Sequence, residues 1–303
     1  MSSSRRRLSS ARFPRGQQLT DIYERLAEYP NVEGCYIGHR RRAGRRRGLG
    51  IVCCVSQKLP DRELRRKDRI PETIVWSRGR KDRDIRTDVV TLTESQQQVV
   101  LGPGDVKEGA NGPSTVGVGL LHPTFGPVVT TAGHAVLQTP GVMTFAPGSR
   151  PAVLANQVKG SVTSRFSAEV LKAAWTQDLD HAILRPVDGS PVGNAFDDLI
   201  PLEGVSGPAP NDVGTDHFVM TPRGIVRTAL RGVRGQLPVG PVVRRLSILT
   251  DLVTVEGDSG CVLIDRQRRA LGLLAGFTII GPQSFSVFAP ITGVLVEEGA
   301  ELA

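Results

Sequence analysis

Short apolar runs, separated by glycine, proline and charged residues, follow one another along the last two-thirds of the chain. Three of them are residues 125–129, 182–184 and 261–264, and each has the length of a buried strand but not of a core helix. The sequence contains 34 glycines and 21 prolines, a composition that suits many strands joined by turns. The pattern therefore predicts a mainly β fold for this part of the chain.

The first hundred residues have a different pattern. Leu19, Ile22, Tyr23 and Leu26 recur at helical spacing and predict one amphipathic helix that ends near residue 28. Apolar runs at residues 32–38, 49–55, 70–76 and 86–92 then predict four strands. We expect a small α+β module at residues 17–98, after a basic disordered tail at residues 1–16. A Gly/Pro-rich linker at residues 99–113 would lead to the main domain at residues 114–303.

The composition limits the class and the location of the protein. No stretch approaches the roughly 18 apolar residues of a membrane span. The arginines at residues 5–7 are not followed by the apolar segment of an export signal. The four cysteines are predicted to be reduced and buried, since no pair of them brackets a candidate catalytic loop. These features predict a cytoplasmic protein, and the excess of arginine over lysine indicates a GC-rich, bacterial genome.

Three short segments carry the residues of nucleophilic catalysis. His134 follows a predicted strand that ends in Thr-Thr-Ala-Gly, Asp180 opens an apolar run, and Ser259 lies in Gly-Asp-Ser-Gly before another apolar run. A serine hydroxyl attacks a carbonyl at neutral pH only when an imidazole removes its proton and a carboxylate orients that imidazole. Each motif alone also occurs in ordinary turns and strand ends, but the three together predict a Ser-His-Asp triad.

The glycine two residues before Ser259 fits the same chemistry. The tetrahedral intermediate of acyl transfer places negative charge on the former carbonyl oxygen, and backbone N–H groups must point at that oxygen. Glycine lets the backbone turn an N–H inward where a side chain would obstruct it. Gly257 and Ser259 are therefore the predicted oxyanion-hole donors, and we expect Ser259 to face the surface.

In their order and local sequence, the segments around His134, Asp180 and Ser259 resemble those of the chymotrypsin/trypsin-like serine peptidases of the PA clan. The resemblance covers residues 112–303. It implies a fold of two six-stranded-type β-barrels and a serine endopeptidase that cleaves protein or peptide substrates through an acyl-enzyme, with no cofactor and no metal. It also implies that Asp258 anchors its loop by pairing with a buried cation, for which the candidates are Arg185, Arg223 and Arg227.

The N-terminal segment carries a second resemblance. A glycine-rich hairpin, a Lys-Leu-Pro element, Asp-Arg-Ile-Pro at residues 68–71 and Thr-Asp-Val-Val at residues 87–90 resemble the accessory module of mostly bacterial, intracellular trypsin-like peptidases. The plant narrow-leaf-type trypsin-domain proteins stand near that group. The resemblance implies an integral accessory domain, not a known activity. The arginine-rich turn at residues 39–47 departs from it.

The orienting carboxylate has two candidates, because Asp178 and Asp180 lie two residues apart and share a face of a strand. Spacing alone does not separate them. The Asp-x-Ala-apolar form of the family motif favours Asp180. The histidines outside the motif are predicted to be exposed or to cap turns; they are His39, His122, His181 and His217.

The first resemblance also implies where specificity is set. The floor of the pocket for the residue before the cleaved bond corresponds to Val253, which cannot pair with a cation. The pocket wall corresponds to Ala275, Gly276 and Phe277, and Glu256 stands at the rim. We therefore expect a shallow, apolar pocket that favours small or medium apolar residues, with a modest preference among them.

The net charge of +8 has its positive surplus in the first 98 residues, and six arginines crowd one predicted turn: Arg40, Arg41, Arg42, Arg45, Arg46 and Arg47. Such a surface suits an acidic partner or nucleic-acid phosphates, whereas a solvated hairpin tip is the plainer explanation. Two functions therefore stand beside the peptidase. One is a protease-fold binding module with an unused site, and the other is a nucleic-acid-associated protein that acts through this hairpin.

Overall fold

The structure is a computed structural model that describes residues 13–42, 45–60, 63–78, 81–96, 106–107, 114–159, 162–187, 192–196 and 200–303. The predicted tail before residue 13 lies outside these ranges, as do the tip of the arginine hairpin and all of the predicted linker except residues 106–107. The side chains of five hairpin arginines also lie outside the described part: Arg41, Arg42, Arg45, Arg46 and Arg47.

Strands make up most of the described chain. The helices are α1 (Gln17–Ala27) and α2 (Ile291–Glu298). The strands before residue 114 are β1 (Val32–Arg42), β2 (Arg45–Val55), β3 (Thr73–Arg78), β4 (Lys81–Gln96) and β5 (Val106–Lys107). The next are β6 (Gly119–His122), β7 (Gly126–Thr131), β8 (Gly141–Thr144), β9 (Ala152–Lys159), β10 (Val162–Trp175) and β11 (Asp180–Pro186). The short strands that follow are β12 (Ala195–Phe196), β13 (Ile200–Pro201) and β14 (Gly204–Val205). The last are β15 (Asp216–Thr221), β16 (Gly224–Val239), β17 (Val242–Asp251), β18 (Val262–Ile264), β19 (Arg269–Ile280), β20 (Gln283–Pro290) and β21 (Glu301–Leu302).

The first sheet is built from the middle of the chain. Its strand order is β21-β6-β7-β11-β10-β9-β5, with β8 paired to β10. Its pairs are antiparallel, and three of them join strands that are neighbours in sequence, as in hairpins and meanders: β6 with β7, β9 with β10, and β10 with β11. The C-terminal strand β21 returns to pair with β6, so that the end of the chain closes one edge of this sheet.

The second sheet contains a closed six-stranded barrel. Its order runs β15-β18-β19-β20-β17-β16, and β15 also pairs with β16, which completes the circuit. Because the circuit is closed, these six strands leave no unpaired sheet edge between the first and the last of them. The prediction of a mainly β, two-barrel fold is confirmed.

The N-terminal strands continue the second sheet. β1 pairs with β16, β2 pairs with β1 and, in parallel, with β4, and the end of β4 pairs with β19. The predicted helix is confirmed as α1, whose apolar stripe of Leu19, Ile22, Tyr23 and Leu26 is buried. That stripe joins a hydrophobic core that also contains Phe288 of the barrel. The N-terminal segment therefore shares its core with the barrel, while its predicted boundaries at residues 17 and 98 stay a prediction.

A second hydrophobic core joins the two sheets. It brings Leu120 and Ile183 of the first sheet against Val262 and Leu273 of the second, and α2 adds Ile291 to it. All five side chains are less than a tenth exposed. This contact holds the ends of β7, β11 and the loop before β18 together, and the candidate catalytic residues lie on those elements.

The four cysteines are buried and carry free thiols. Burial raises the pKa of the Cys261 thiol well above its ordinary value, so that this residue, two positions after Ser259, behaves as a small apolar side chain. Among the residues that the structure describes, neither helix has the length and apolar character that crossing a bilayer requires.

Candidate active site

His134 and Asp180 are brought together by the pairing of β7 with β11. His134 lies in the 3-10 turn Gly133–Ala135 after β7, and Asp180 is the first residue of β11. The Nδ1 atom of His134 lies 2.8 Å from Oδ2 of Asp180, and the backbone N–H of His134 donates to Oδ1 at 2.9 Å. The carboxylate thus contacts both the ring and the backbone of the histidine, an arrangement that orients the ring.

Ser259 reaches the same histidine from the second sheet. It lies in the loop between β17 and β18, and its Oγ atom is 3.1 Å from Nε2 of His134. The next residue, Gly260, has a φ of +91°. A Cβ atom there would stand 2.5 Å from the carbonyl oxygen of Thr115, so that only glycine allows the loop to approach the first sheet this closely. The structure therefore places the three predicted residues in one continuous contact chain.

The predicted oxyanion-hole residue Gly257 also has a left-handed backbone, with a φ of +91° that side chains disfavour. Its carbonyl oxygen accepts a hydrogen bond of 2.7 Å from Thr115 Oγ1, and the carbonyl of Ser259 accepts one of 2.7 Å from the Thr115 N–H. Thr115 thereby fixes the loop on both sides of Asp258. Gly257 and Ser259 remain the proposed donors to the oxyanion.

Arg223 is the cation that pairs with Asp258. Its Nη2 atom lies 2.6 Å from Oδ2 of Asp258 and 3.3 Å from the carbonyl oxygen of Val253. The carboxylate also accepts the backbone N–H of Val255 at 2.9 Å. Of the other two candidates, Arg227 pairs with Asp216 and Arg185 pairs with Glu169. The guanidinium of Arg223 is half-exposed, so the expectation of a buried cation is wrong: this cation covers the loop from outside.

Two further expectations are corrected by burial. Ser259 is fully buried and His134 is 1% exposed, so Ser259 does not face the surface. His181 is also fully buried, and its Nε2 atom lies 2.7 Å from Oε1 of Glu298 in α2, so it is neither exposed nor a turn cap. His217 is likewise buried. His122 does cap a turn as predicted, because its Nδ1 accepts the N–H of Thr124 at 3.0 Å.

Asp178 is placed away from the imidazole. It is exposed in the turn between β10 and β11, where its N–H donates to Thr176 Oγ1 at 3.3 Å. Asp180, in contrast, is fully buried. Of the two candidate carboxylates, Asp180 alone contacts His134 in the described structure.

The predicted pocket residues lie around the same loop. Leu274 of β19 exchanges backbone hydrogen bonds with Gly260 and Cys261, so that Ala275 and Gly276 follow a residue bonded to the loop that carries Ser259. The backbone N–H of Val253 donates to Ser286 Oγ at 3.4 Å, and Ser286 stands opposite Phe277 in the pairing of β20 with β19. Ala275 is buried, Val253 and Phe277 are partly buried, and Glu256 is exposed.

Sequence reasoning missed the buried cation beside the candidate triad. Arg244 of β17 is 1% exposed, and its Nη2 atom lies 2.6 Å from Oδ2 of Asp180. Burial by itself raises the pKa of Asp180, but the positive charge of Arg244 and the hydrogen bonds from the ring and backbone of His134 outweigh it and hold that pKa below its ordinary value. One signal was present in the sequence: Arg244 lies two residues after Val242, so that both side chains share the buried face of the strand.

One described cavity lies away from these residues. It has a volume of about 610 Å³ and opens between α1 and β3, where Tyr29, Lys67 and Val75 line it. None of its lining residues belongs to the elements that carry His134, Asp180 or Ser259. Across the described residues, no group of three His, Cys, Asp or Glu side chains is placed to hold a metal ion.

Two sheets that meet at His134, Asp180 and Ser259, the second of them closed as a six-stranded barrel, form the predicted architecture. The arrangement of the sheets matches the two-barrel trypsin-like fold. No protein-family model matches the chain, and no curated protein sequence matches it either.

Several solved structures are similar to the chain. A Nocardiopsis protease is 16% identical with a TM-score of 0.48, over 67% of this chain and 97% of that one. Thermobifida fusca protease A is 15% identical with a TM-score of 0.46, over 68% and 99% of the two chains. A Cellulomonas bogoriensis chymotrypsin is 15% identical with a TM-score of 0.47, over 67% and 98%. Likeness at this level carries no information about the substrate.

Proposed function

We propose that the chain is a serine endopeptidase in which Ser259 is the nucleophile, His134 the general base and Asp180 the orienting carboxylate. The observation that carries the proposal is the contact chain from Asp180 through His134 to Ser259, with steps of 2.8 Å and 3.1 Å. These distances lie within the range that proton transfer between nucleophile and base requires.

The reaction follows from those contacts. Nε2 of His134 takes the hydroxyl proton while Oγ of Ser259 attacks the peptide carbonyl, and the N–H groups of Gly257 and Ser259 stabilise the resulting oxyanion. The protonated imidazole then gives its proton to the leaving amine, which leaves an acyl-enzyme on Ser259. A water molecule, activated by the same imidazole, hydrolyses the ester and restores the hydroxyl group.

The substrate preference is proposed from the residues around the loop. Val253, Ala275 and Phe277 are apolar, and no acid stands at the proposed floor to pair with an Arg or Lys side chain. We therefore expect cleavage after small or medium apolar residues. The exposed carboxylate of Glu256 would disfavour acidic residues near the cleaved bond by repulsion.

A fluorophosphonate probe tests the nucleophile, since it labels only an activated serine. We expect the wild-type protein to be labelled and to hydrolyse apolar peptides, and Ser259→Ala to do neither. Asp180→Asn should lose roughly ten-thousand-fold in turnover because it favours the wrong histidine tautomer. Asp178→Asn is the matched control and should stay within a few-fold of wild type, since Asp178 is exposed and does not contact His134.

Hydrolysis by Ser259→Ala at the wild-type rate would refute the proposal. A wild-type protein that neither reacts with the probe nor cleaves any peptide in the set would favour the binding-module alternative. Dominant cleavage after Arg or Lys would contradict the proposed pocket. The comparisons with solved structures provide no support for an acidic partner or nucleic acid at Arg40 and its neighbours.

A further inference from the structure

A buried guanidinium shares an oxygen atom with the proposed base. Oδ2 of Asp180 lies 2.8 Å from Nδ1 of His134 and 2.6 Å from Nη2 of Arg244. The side chains of Asp180 and His134 are fully buried, and that of Arg244 is 1% exposed. Solvent therefore screens these charges little, and a displacement of one of them acts directly on the other two.

The same guanidinium also donates hydrogen bonds to the turn that precedes Asp180. Nη1 of Arg244 donates to the carbonyl oxygens of Thr176 at 3.3 Å and Leu179 at 3.2 Å. The next residue along β17, Arg245, donates its backbone N–H to the carbonyl of Gln177 at 2.7 Å. The start of β17 is thus attached to the turn between β10 and β11 at several points.

These contacts cross between the two sheets. Asp180 lies on β11 of the first sheet, and His134 lies in the turn that follows β7 of that sheet. Arg244 lies on β17 of the second sheet, and Ser259 lies in the loop between β17 and β18. Because Arg244 contacts Asp180 from the sheet that holds the nucleophile, the ion pair fixes base and nucleophile relative to each other. Misplacement by about 1 Å at such a site costs on the order of a hundred-fold in rate.

We propose that Arg244 is a positioning residue of the triad: it holds the Asp180 carboxylate from the opposite sheet and shares that carboxylate's negative charge with His134. The inference rests on the proposed function, because it assigns Arg244 a role toward the proposed base. A purely structural arginine would fill the same space and join the sheets, but it would leave the titration of His134 unchanged.

Loss of the Arg244 charge would shift the titration of His134 and Asp180 in one direction. A carboxylate stabilises the imidazolium form of the histidine beside it, and a guanidinium on the same oxygen weakens that effect. Loss of Arg244 would also leave Asp180 buried with a single partner, so that the carboxylate binds a proton more readily. Both effects raise the pH at which the pair of His134 and Asp180 gives up a proton.

The other charged groups near the pair face elsewhere. His181 follows Asp180 in β11, but its ring is turned to Glu298, which also pairs with Lys172. Trp175 of β10 is the aromatic neighbour of His134, with ring centroids 6.3 Å apart, and it carries no charge. Among the described residues, Arg244 is therefore the cation beside Asp180 whose charge a substitution can remove.

Histidine titration, followed by nitrogen NMR of labelled imidazoles in a Ser259→Ala background, tests this role without any need for activity. We expect His134 to titrate roughly one pH unit higher in Arg244→Gln and in Arg244→Met, which keeps the apolar volume. Arg244→Lys should show a smaller rise, because it retains a charge but not the fork that holds Asp180 and the turn together. Arg231→Gln is the matched control: it breaks another Arg–Asp pair of the second sheet, with Asp251, and should leave the titration unchanged.

The same substitutions in the active background link the titration to catalysis. We expect the acidic limb of kcat/KM to move to higher pH in Arg244→Gln and to return most of the way in Arg244→Lys. If His134 titrates at the same pH in every folded Arg244 variant, the positioning role is refuted. If the titration moves but the wild-type protein hydrolyses no peptide and reacts with no fluorophosphonate, the positioning role stands and the proposed peptidase function fails.

Discussion

At the residue scale, the loop around Ser259 depends on one charge pair at its edge. The carboxylate of Asp258 is almost completely buried, and Arg223 supplies the guanidinium that faces it. The same guanidinium contacts the carbonyl of Val253, which ties the two ends of the loop to each other. A buried carboxylate that loses its cation is costly, and the loop would move to expose it to water.

We therefore expect Arg223→Gln to slow both fluorophosphonate labelling and peptide hydrolysis, by about ten- to a hundred-fold, because the proposed oxyanion donors lie on the same loop. Arg227→Gln is the control. Arg227 is more exposed, and its partner Asp216 lies outside the loop. Labelling rates measured for both variants show whether the loop depends on Arg223 in particular. Equal losses in the two variants would show that the effect is one of general surface charge.

At the element scale, β4 limits what the edge of β19 can bind. β18 pairs with β19 up to Leu273, and the end of β4 pairs with β19 from Phe277 onward. Leu274 is already bonded to the loop after Ser259. In the described structure, only Ala275 and Gly276 are left on that edge for a substrate that adds itself as a strand.

Weakening the pairing of β4 with β19 should therefore free more of the β19 edge for a substrate peptide. Successive N–H groups of a strand point to opposite edges, so the double substitution Glu94→Pro with Ser95→Pro removes one donor toward β19. We expect its kcat/KM to rise several-fold for peptides with five or more residues before the cleaved bond, and to stay unchanged for shorter ones.

The control for this prediction is the double substitution Glu94→Ala with Ser95→Ala, which keeps both N–H groups. It should behave as the wild-type protein with peptides of every length. A proline variant with the wild-type length preference would show that β4 does not compete with the substrate for β19.

At the scale of the whole molecule, the C-terminal helix is locked to the first sheet by buried charges. Glu298 of α2 lies 2.7 Å from Nε2 of His181 and 3.0 Å from Nζ of Lys172. Burial alone raises the pKa of Glu298, but these partners outweigh it and lower the pKa from 4.5 to about 2. The ionised carboxylate therefore stabilises the folded chain.

The stabilisation has a defined pH window. Since the folded pKa lies below the unfolded one, the contribution is complete above about pH 5 and is lost as the pH falls toward 2. Its size is on the order of 3 kcal/mol. We expect urea unfolding to show Glu298→Gln much less stable than wild type at pH 6 and closer to it at pH 3. Glu297→Gln, at the exposed neighbour, should follow the wild-type curve, and a pH-independent gap for Glu298→Gln would contradict the linkage.

Local pattern was enough for the elements and for the identity of the proposed triad. The spacing of Leu19, Ile22, Tyr23 and Leu26 predicted α1, and the short apolar runs predicted strands that the structure contains at β7, β11 and β18. Helical and strand periodicity are local properties, and each triad motif lies within a few residues of its own strand. The sequence by itself therefore determined the β class and the candidates His134, Asp180 and Ser259.

Only the tertiary structure decided which groups meet. It paired Asp258 with Arg223, set Arg244 against Asp180, exposed Asp178, and buried Ser259 and His181. It also joined the N-terminal strands to the barrel through β1 and β4. Most of these contacts join residues tens of positions apart on different strands, and register and sheet order place such residues together. Periodicity states which face of a strand a side chain occupies, but it does not state which strand will cover that face.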